Sequence, residues 1–304
     1  VQARRVRDLL DPIGGEGAMA RAEPELIAAP VSKDLRSMPN DLPPVITLLT
    51  DFGAGSGYPA QMKGVLLRAA PRATVVDLSH EVPAFDILAG ALLLEACVPH
   101  FPVEAVHCAV VDPGVGTARR GVCVVDAMGR RLVGPDNGLF TPFLGPGARV
   151  FELSSREVVP APASATFHGR DLFAPVAAWL ATGGDPTRLG PAVPDPTRLH
   201  WPEPLVGRDQ VEGQVLVADP FGNLITTLRV QHLTPVDRVE RVEVDGRPAR
   251  LVRTFGDGRP GELLALIGSS GRLEIAVREG SAARQLGVGR GALVVVQLAA
   301  VART

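Results

Sequence analysis

The chain has 304 residues, roughly twice the ~100–150 of one typical domain, so two domains are expected. With 46% hydrophobic and 21% charged residues it suits a globular protein with a sizeable core, and its net charge of −2 gives no electrostatic footprint for nucleic acid or an anionic membrane surface. No apolar run approaches the ~18–20 residues that span a bilayer, and three cysteines without CxxC spacing (Cys97, Cys108, Cys123) argue against a disulfide framework or zinc site and for buried thiols in a reducing cytoplasm. Residues 1–44 show only short helical patches, such as 3–10, broken by Gly14-Gly15 and several prolines. No signal-type apolar segment follows their arginines, so they read as a disordered or loosely docked extension.

Residues 45–183 are expected to form the N-terminal domain. The apolar run 45–49 predicts a buried parallel strand. It ends in Thr50-Asp51-Phe52-Gly53, followed by Gly55, Gly57 and a helical pattern over 59–69. Strand 74–78, polar loop 79–86 and apolar helix 87–98 come next. Strand 105–111 runs into Asp112-Pro113-Gly114 and on to Arg119-Arg120, and a hairpin over 121–126 and 131–133 follows. After the turn 134–138 and strand 148–153, the stretch Phe167-His168-Gly169-Arg170-Asp171 precedes a helix over 172–182, with Asp171 as its expected N-cap. Strands alternating with helices predict a βαβ sheet covered on both faces.

Six prolines between 184 and 210 read as an interdomain linker. Over 211–304 short strands (214–217, 224–228, 239–244, 263–267, 273–277, 292–298) are separated by turn residues, with one short helix at 281–286 and no internal repeat. The fold class that results is α/β: an N-terminal α/β domain with a mostly parallel sheet flanked by helices, plus a smaller C-terminal antiparallel β-barrel domain.

In an open α/β sheet, ligands bind outside the carboxyl ends of the strands. Asp112 and Arg119 stand there on a loop stiffened by proline and glycine. They read equally as a structural ion pair and as a site in which a carboxylate and a guanidinium hold water and stabilise developing hydroxide. The loop 53–57 has GxGxG rather than dinucleotide-binding spacing and lacks a P-loop lysine. Asp51 before it would repel phosphate, but its carboxylate can accept hydrogen bonds from a sugar diol. Five of the six histidines are bland by context: His80 and His100 in loops, His107 in an apolar strand, His200 and His232 in polar turns. His168 differs, sitting before a helix start with a glycine beside it that admits a ligand. No His/Asp/Glu spacing matches a zinc signature. Asp219-Pro220-Phe221-Gly222-Asn223 is a turn by composition, and it also offers a stacking ring and an amide that can read a purine edge. Ser269-Ser270-Gly271 offers hydroxyls and amides for a carboxylate.

In order along the chain, TDFG at 50–53, DPGVGTARR at 112–120, GPDNG at 134–138, FHGRD at 167–171, DPFGN at 219–223 and SSGRLEIAV at 269–277 resemble the S-adenosyl-L-methionine hydroxide adenosyltransferase family, the adenosine-forming SAM hydrolases. The resemblance spans roughly 45–300. It implies a homotrimer in which SAM lies between one subunit's N-terminal domain and a neighbour's C-terminal domain, with SAM as substrate and neither cofactor nor metal. It implies catalytic roles for Asp112, Arg119 and His168, which position and activate water, with Asp112 also touching substrate. It assigns Asp51 to the ribose, Asp219 to the methionine amine, Phe221 and Asn223 to adenine, and Ser269 to the methionine carboxylate. Glu274 and Val277 fall in the last substrate-binding segment. Halogenating relatives carry Tyr in place of Asp112 and a halide-binding Ser in place of Gly169, so water is the implied nucleophile. The alternatives are a halide-dependent adenosyltransferase and a non-catalytic SAM- or adenosine-binding module. Thr227, where Asn is common, and Arg272, where an aromatic is usual, imply rebuilt contacts on the adenine side.

Overall fold

The computed structural model describes residues 43–299, and the expected extension over 1–44 lies outside them except for Pro43 and Pro44. The first unit runs β1 (Val45–Thr50), α1 (Tyr58–Ala69), β2 (Thr74–Ser79), α2 (Ile87–Cys97), β3 (Val106–Val110), β4 (Gly121–Val125), β5 (Arg131–Pro135), β6 (Arg149–Glu152) and α3 (Ala174–Ala181). Its sheet has the order β2-β1-β3-β5-β4-β6. The first four strands are parallel, and β4 runs against both of its neighbours. Alternation along β1 sends Ile46 and Leu48 to one face, with Met62 of α1 and Leu180 of α3, and Leu49 to the other, with Ala91 and Leu94 of α2. Burying a leucine of this kind is worth about 1.5–3 kcal/mol, so both faces need their helices. Gly134 lets β5 approach β3: a Cβ there would stand 2.1 Å from the Ala109 carbonyl oxygen.

The expected single helix over 172–182 is instead two pieces. A π-helical turn, Gly169–Phe173, leads into α3, and the Ala174 amide donates back to Gly169 O. Pro175, in the first turn of α3, has no N–H to donate to the carbonyl four residues earlier, so regular α-helix cannot extend back through Asp171. Asp171 is not the cap. Its Oδ2 accepts from the Ser164 amide at 2.8 Å and its other oxygen pairs with Arg170.

The proline-rich stretch lies against this unit. Leu189 and Val193 are buried, the Val193 amide donates to Val150 O at 2.8 Å, and Arg198 bridges to Gly138. Beyond it, β7 (Leu205–Val206), β8 (Gln210–Ala218), β9 (Leu224–Arg229), β10 (Val239–Val244), β11 (Arg247–Leu251), β12 (Leu263–Ile267), β13 (Arg272–Val277), α4 (Ala282–Leu286) and β14 (Leu293–Leu298) follow. The order β14-β10-β11-β12-β13-β9-β8 closes through β14–β8, and β7 adds to the edge of β8. The result is a closed seven-stranded barrel. It differs from the expected antiparallel barrel at one seam, where β11 and β12 pair in parallel. Strand β11 carries Pro248 between two arginines and buries only Ala249, too little pattern to announce a strand. Among the described residues no helix is long and apolar enough to cross a membrane.

Two ion-pair sets lock the units together through α2. Asp86 caps α2 by accepting from Ala89 N at 3.0 Å and pairs with Arg290 of the barrel. Glu95 receives both Arg229 and Arg272. Arg272, whose side chain is 2% exposed, also donates to Thr226 O at 3.2 Å and lies 5.5 Å from the Trp201 ring centroid. The Arg272 guanidinium is thus spent on α2. Thr227 is likewise turned inward, its Oγ1 accepting from Gln214 N at 3.0 Å.

Candidate active site

Asp112 lies two residues past the end of β3, and its loop returns as Arg119. Gly116, with φ of 78°, allows that loop to pass the 164–168 segment, since a Cβ there would lie 2.9 Å from Ala165 O. Arg119 Nε donates to Asp112 Oδ1 at 2.9 Å and Oδ2 at 3.1 Å, and Nη2 donates to Oδ2 as well. The same Nη2 lies 2.9 Å from His168 Nδ1, and the guanidinium carbon stands 5.1 Å from the Phe173 ring centroid. The two side chains are 10% and 4% exposed, so this is a desolvated, bidentate pair. The three residues selected from sequence are therefore joined through Arg119, which touches both Asp112 and His168.

A guanidinium has only donors, so Nδ1 of His168 must accept, and the neutral ring carries its proton on Nε2. Burial and then the Arg119 charge push the His168 imidazole below its ordinary value, against smaller upward pulls from Asp112 and Asp171. Both facts describe a histidine that is neutral at neutral pH and offers an N–H.

Asp112 and His168 line a cleft of about 360 Å³. Its wall is an edge-to-face aromatic cluster, with ring centroids 5.7 Å apart for Phe52–Phe167, 5.2 Å for Tyr58–Phe167 and 5.9 Å for Phe52–Tyr58. At Gly169 a Cβ would meet Met62 Sδ and the Phe167 ring, each at 3.2 Å. Asp51 directly follows β1, next to Phe52, and its Oδ2 accepts from Phe85 N at 2.8 Å. Phe85 is 69% exposed with φ of 65°, a strained conformation for a ring-bearing residue. Sequence reasoning missed Tyr58 and Phe85. Their signal was the scarcity of aromatics, 4% of the chain, combined with nearness to Asp51.

The C-terminal candidates do not line this cleft in the same chain. Asp219, Ser269 and Glu274 border a cavity of about 620 Å³ between the barrel and α2. Burial and then Asp219 hold the Glu274 carboxyl above its ordinary value, and Gly268 leaves it room. Phe221, Asn223 and Val277 border a second groove, together with Phe255 and Arg278, which the sequence did not single out. The 219–223 turn is self-braced: Asp219 accepts from Phe221 N at 2.9 Å, Asn223 N at 2.8 Å and Asn223 Nδ2 at 2.9 Å. The turn reading of that motif is thus fully realised, with Phe221 left 78% exposed.

Residues 46–190 match the family model for the SAM hydroxide adenosyltransferase N-terminal domain, and residues 213–295 match that for the C-terminal domain. An (R)-S-adenosyl-L-methionine hydrolase from Salinispora tropica is 46% identical over 251 residues, covering 81% of this chain and 94% of the relative. One of the same name from Thermus thermophilus is 46% identical over 256 residues, covering 81% and 96%. A fluorinase from Actinoplanes is 28% identical over 229 residues, covering 66% and 76%. The crystal structure of an uncharacterized conserved protein from Thermotoga maritima superposes with a TM-score of 0.78 at 36% identity, covering 83% of this chain and 99% of that one.

Proposed function

Because the chain belongs to the SAM hydroxide adenosyltransferase family, we propose that it is an enzyme hydrolysing S-adenosyl-L-methionine to adenosine and L-methionine. The observation that carries this reading is the set Asp112–Arg119–His168, joined through the guanidinium, at an aromatic-walled cleft.

The reaction needs little beyond a placed water. Water oxygen attacks C5′ in line with the sulfonium, the O–C5′ bond forms, and the C5′–S bond breaks with its electron pair passing to sulfur. Methionine leaves as a neutral thioether, so neither metal nor cofactor is invoked. Positioning of this kind is worth up to about 7–11 kcal/mol. Arg119 stabilises the hydroxide character that the water gains as its proton passes to Asp112, and His168 offers it the Nε2 proton as a hydrogen bond. Of the three side chains only Asp112 keeps an accepting lone pair free, on Oδ1, so it orients the water and receives its proton. Asp112 also stands in the cleft against the substrate.

Asp51 is assigned to the ribose diol. Asp219 is assigned to the methionine amine, Ser269 to its carboxylate, and Phe221 and Asn223 to adenine, with Glu274 and Val277 in the same segment. Since these last six residues do not line the Asp112 cleft of their own chain, the reading places them against the cleft of a neighbour in a homotrimer. The relatives are named for the (R) sulfonium epimer, and the same epimer is proposed here. Three unpaired cysteines favour a reducing, cytoplasmic setting. The test is chromatography of SAM incubated with the purified protein: adenosine and methionine should appear in equal amounts, and unchanged SAM across pH 6–9 would refute the reading.

A further inference from the structure

His80 follows β2 where that strand ends beside the tip of β1, and it is buried. Its Nδ1 lies 2.9 Å from the buried Thr50 Oγ1. Its Nε2 lies 3.1 Å from Asp77 Oδ1, within ion-pair range though off the line of a hydrogen bond, and Asp77 is paired in turn with Lys63. Thr50 Oγ1 also accepts the Phe52 amide at 3.3 Å. The Thr50 hydroxyl thus has two partners, the Phe52 amide and the His80 ring. The backbone of the same residue reaches further along the loop: Gly53 N donates to His80 O at 2.7 Å. His80 therefore holds residue 50 by its ring and residue 53 by its carbonyl. Between those two anchors stand Asp51 and Phe52.

We propose that His80 is a positioning residue for ribose recognition, acting through Thr50 to fix the direction in which Asp51 presents its carboxylate. The inference rests on the reading of Asp51 as the ribose-binding residue. Two further bonds tie the same loops: Asp51 Oδ2 accepts from Phe85 N at 2.8 Å, and Ala54 N donates to the Glu81 carboxylate. The strand also contains its own control. Thr47 Oγ1 lies 2.9 Å from His107 Nδ1, a pair of the same chemistry, on the same strand, equally buried, but between register partners in the sheet interior.

The experiment is calorimetric binding of adenosine and 2′,3′-dideoxyadenosine to the full chain. Wild type should favour adenosine. His80→Gln and Thr50→Val should each weaken adenosine binding on the order of tenfold, about one net hydrogen bond, and leave dideoxyadenosine unchanged. His80→Asn, whose side-chain amide can meet Thr50 Oγ1 where Nδ1 does, should recover most of the loss. Thr47→Val should lower the melting temperature and alter neither affinity. Undiminished preference for adenosine in folded His80→Gln and Thr50→Val, or an equal loss in Thr47→Val, would overturn the inference while leaving the ribose assignment standing. A wild type that binds both nucleosides equally would defeat the Asp51 assignment and the inference with it.

Discussion

Arg119 is the side chain through which the three candidate catalytic residues meet, since one guanidinium serves both oxygens of Asp112 and the ring of His168. A lysine cannot make that fork. Arg119→Lys should therefore lower kcat by about 10²–10³, the range seen when one donor to a developing charge is lost, with KM within about threefold. Steady-state kinetics over a range of SAM concentrations separates the two, and an unchanged kcat would remove Arg119 from the chemistry. Protonating His168 on Nδ1 would turn it from acceptor to donor against Arg119. Because burial and Arg119 hold it below its ordinary 6.5, activity should persist through neutral pH and fall on the acid side with a midpoint below 6.5. A midpoint at or above 6.5 would contradict the assignment. Gly169→Ser introduces a side chain where a Cβ already meets Met62 and Phe167. It should slow hydrolysis without yielding 5′-halo-adenosine in chloride or fluoride, because the Asp112 carboxylate repels a halide. Asp112, Arg119 and His168 were legible because each sits in a glycine-marked loop. His80 and Arg272 were not, because their meaning lies in partners, Thr50 and Glu95, that are 30 and 177 positions away.

At the scale of single elements, α2 joins the two units. Its apolar run announced a helix, whereas the use of Glu95 could be seen only once the barrel was in place. Glu95→Ala would strand two arginines, one almost fully buried, and should cost about 3 kcal/mol of stability in chemical denaturation. A loss within about 0.5 kcal/mol would show that the cluster is not a clamp. Strand β3 carries a second test. Burial, followed by the charges of Arg130 and Arg131 and opposed by Asp126, lowers the His107 pKa to about 4 from 6.5. The unfolded chain then binds a proton that the fold excludes, so stability should fall as pH drops from 6.5 to about 4, by about 3 kcal/mol. Replacing the pair together, His107→Leu with Thr47→Val, should flatten that slope. The π turn before α3 shows the limit of pattern reading. Hydrophobic periodicity ran across 172–182, while Pro175 changed the hydrogen-bond ladder beneath it.

For the whole molecule, alternating strands and helices followed by short strands were enough to expect a covered sheet and a barrel. Closure of the barrel through β14–β8 and the parallel β11–β12 seam depend on long-range pairing that no local pattern encodes. The separation of Asp112 from Asp219, Phe221 and Ser269 within one chain gives the proposed trimer a physical consequence. Sedimentation should show three chains, and activity per chain should fall on dilution into monomer. The central claim is that water attacks C5′ of the ribose. It is tested most directly by running the reaction in 18O-labelled water and weighing the products by mass spectrometry. The account predicts one heavy oxygen in the 5′-hydroxyl of adenosine and none in methionine. Adenosine without the label, or no adenosine at all, would contradict it.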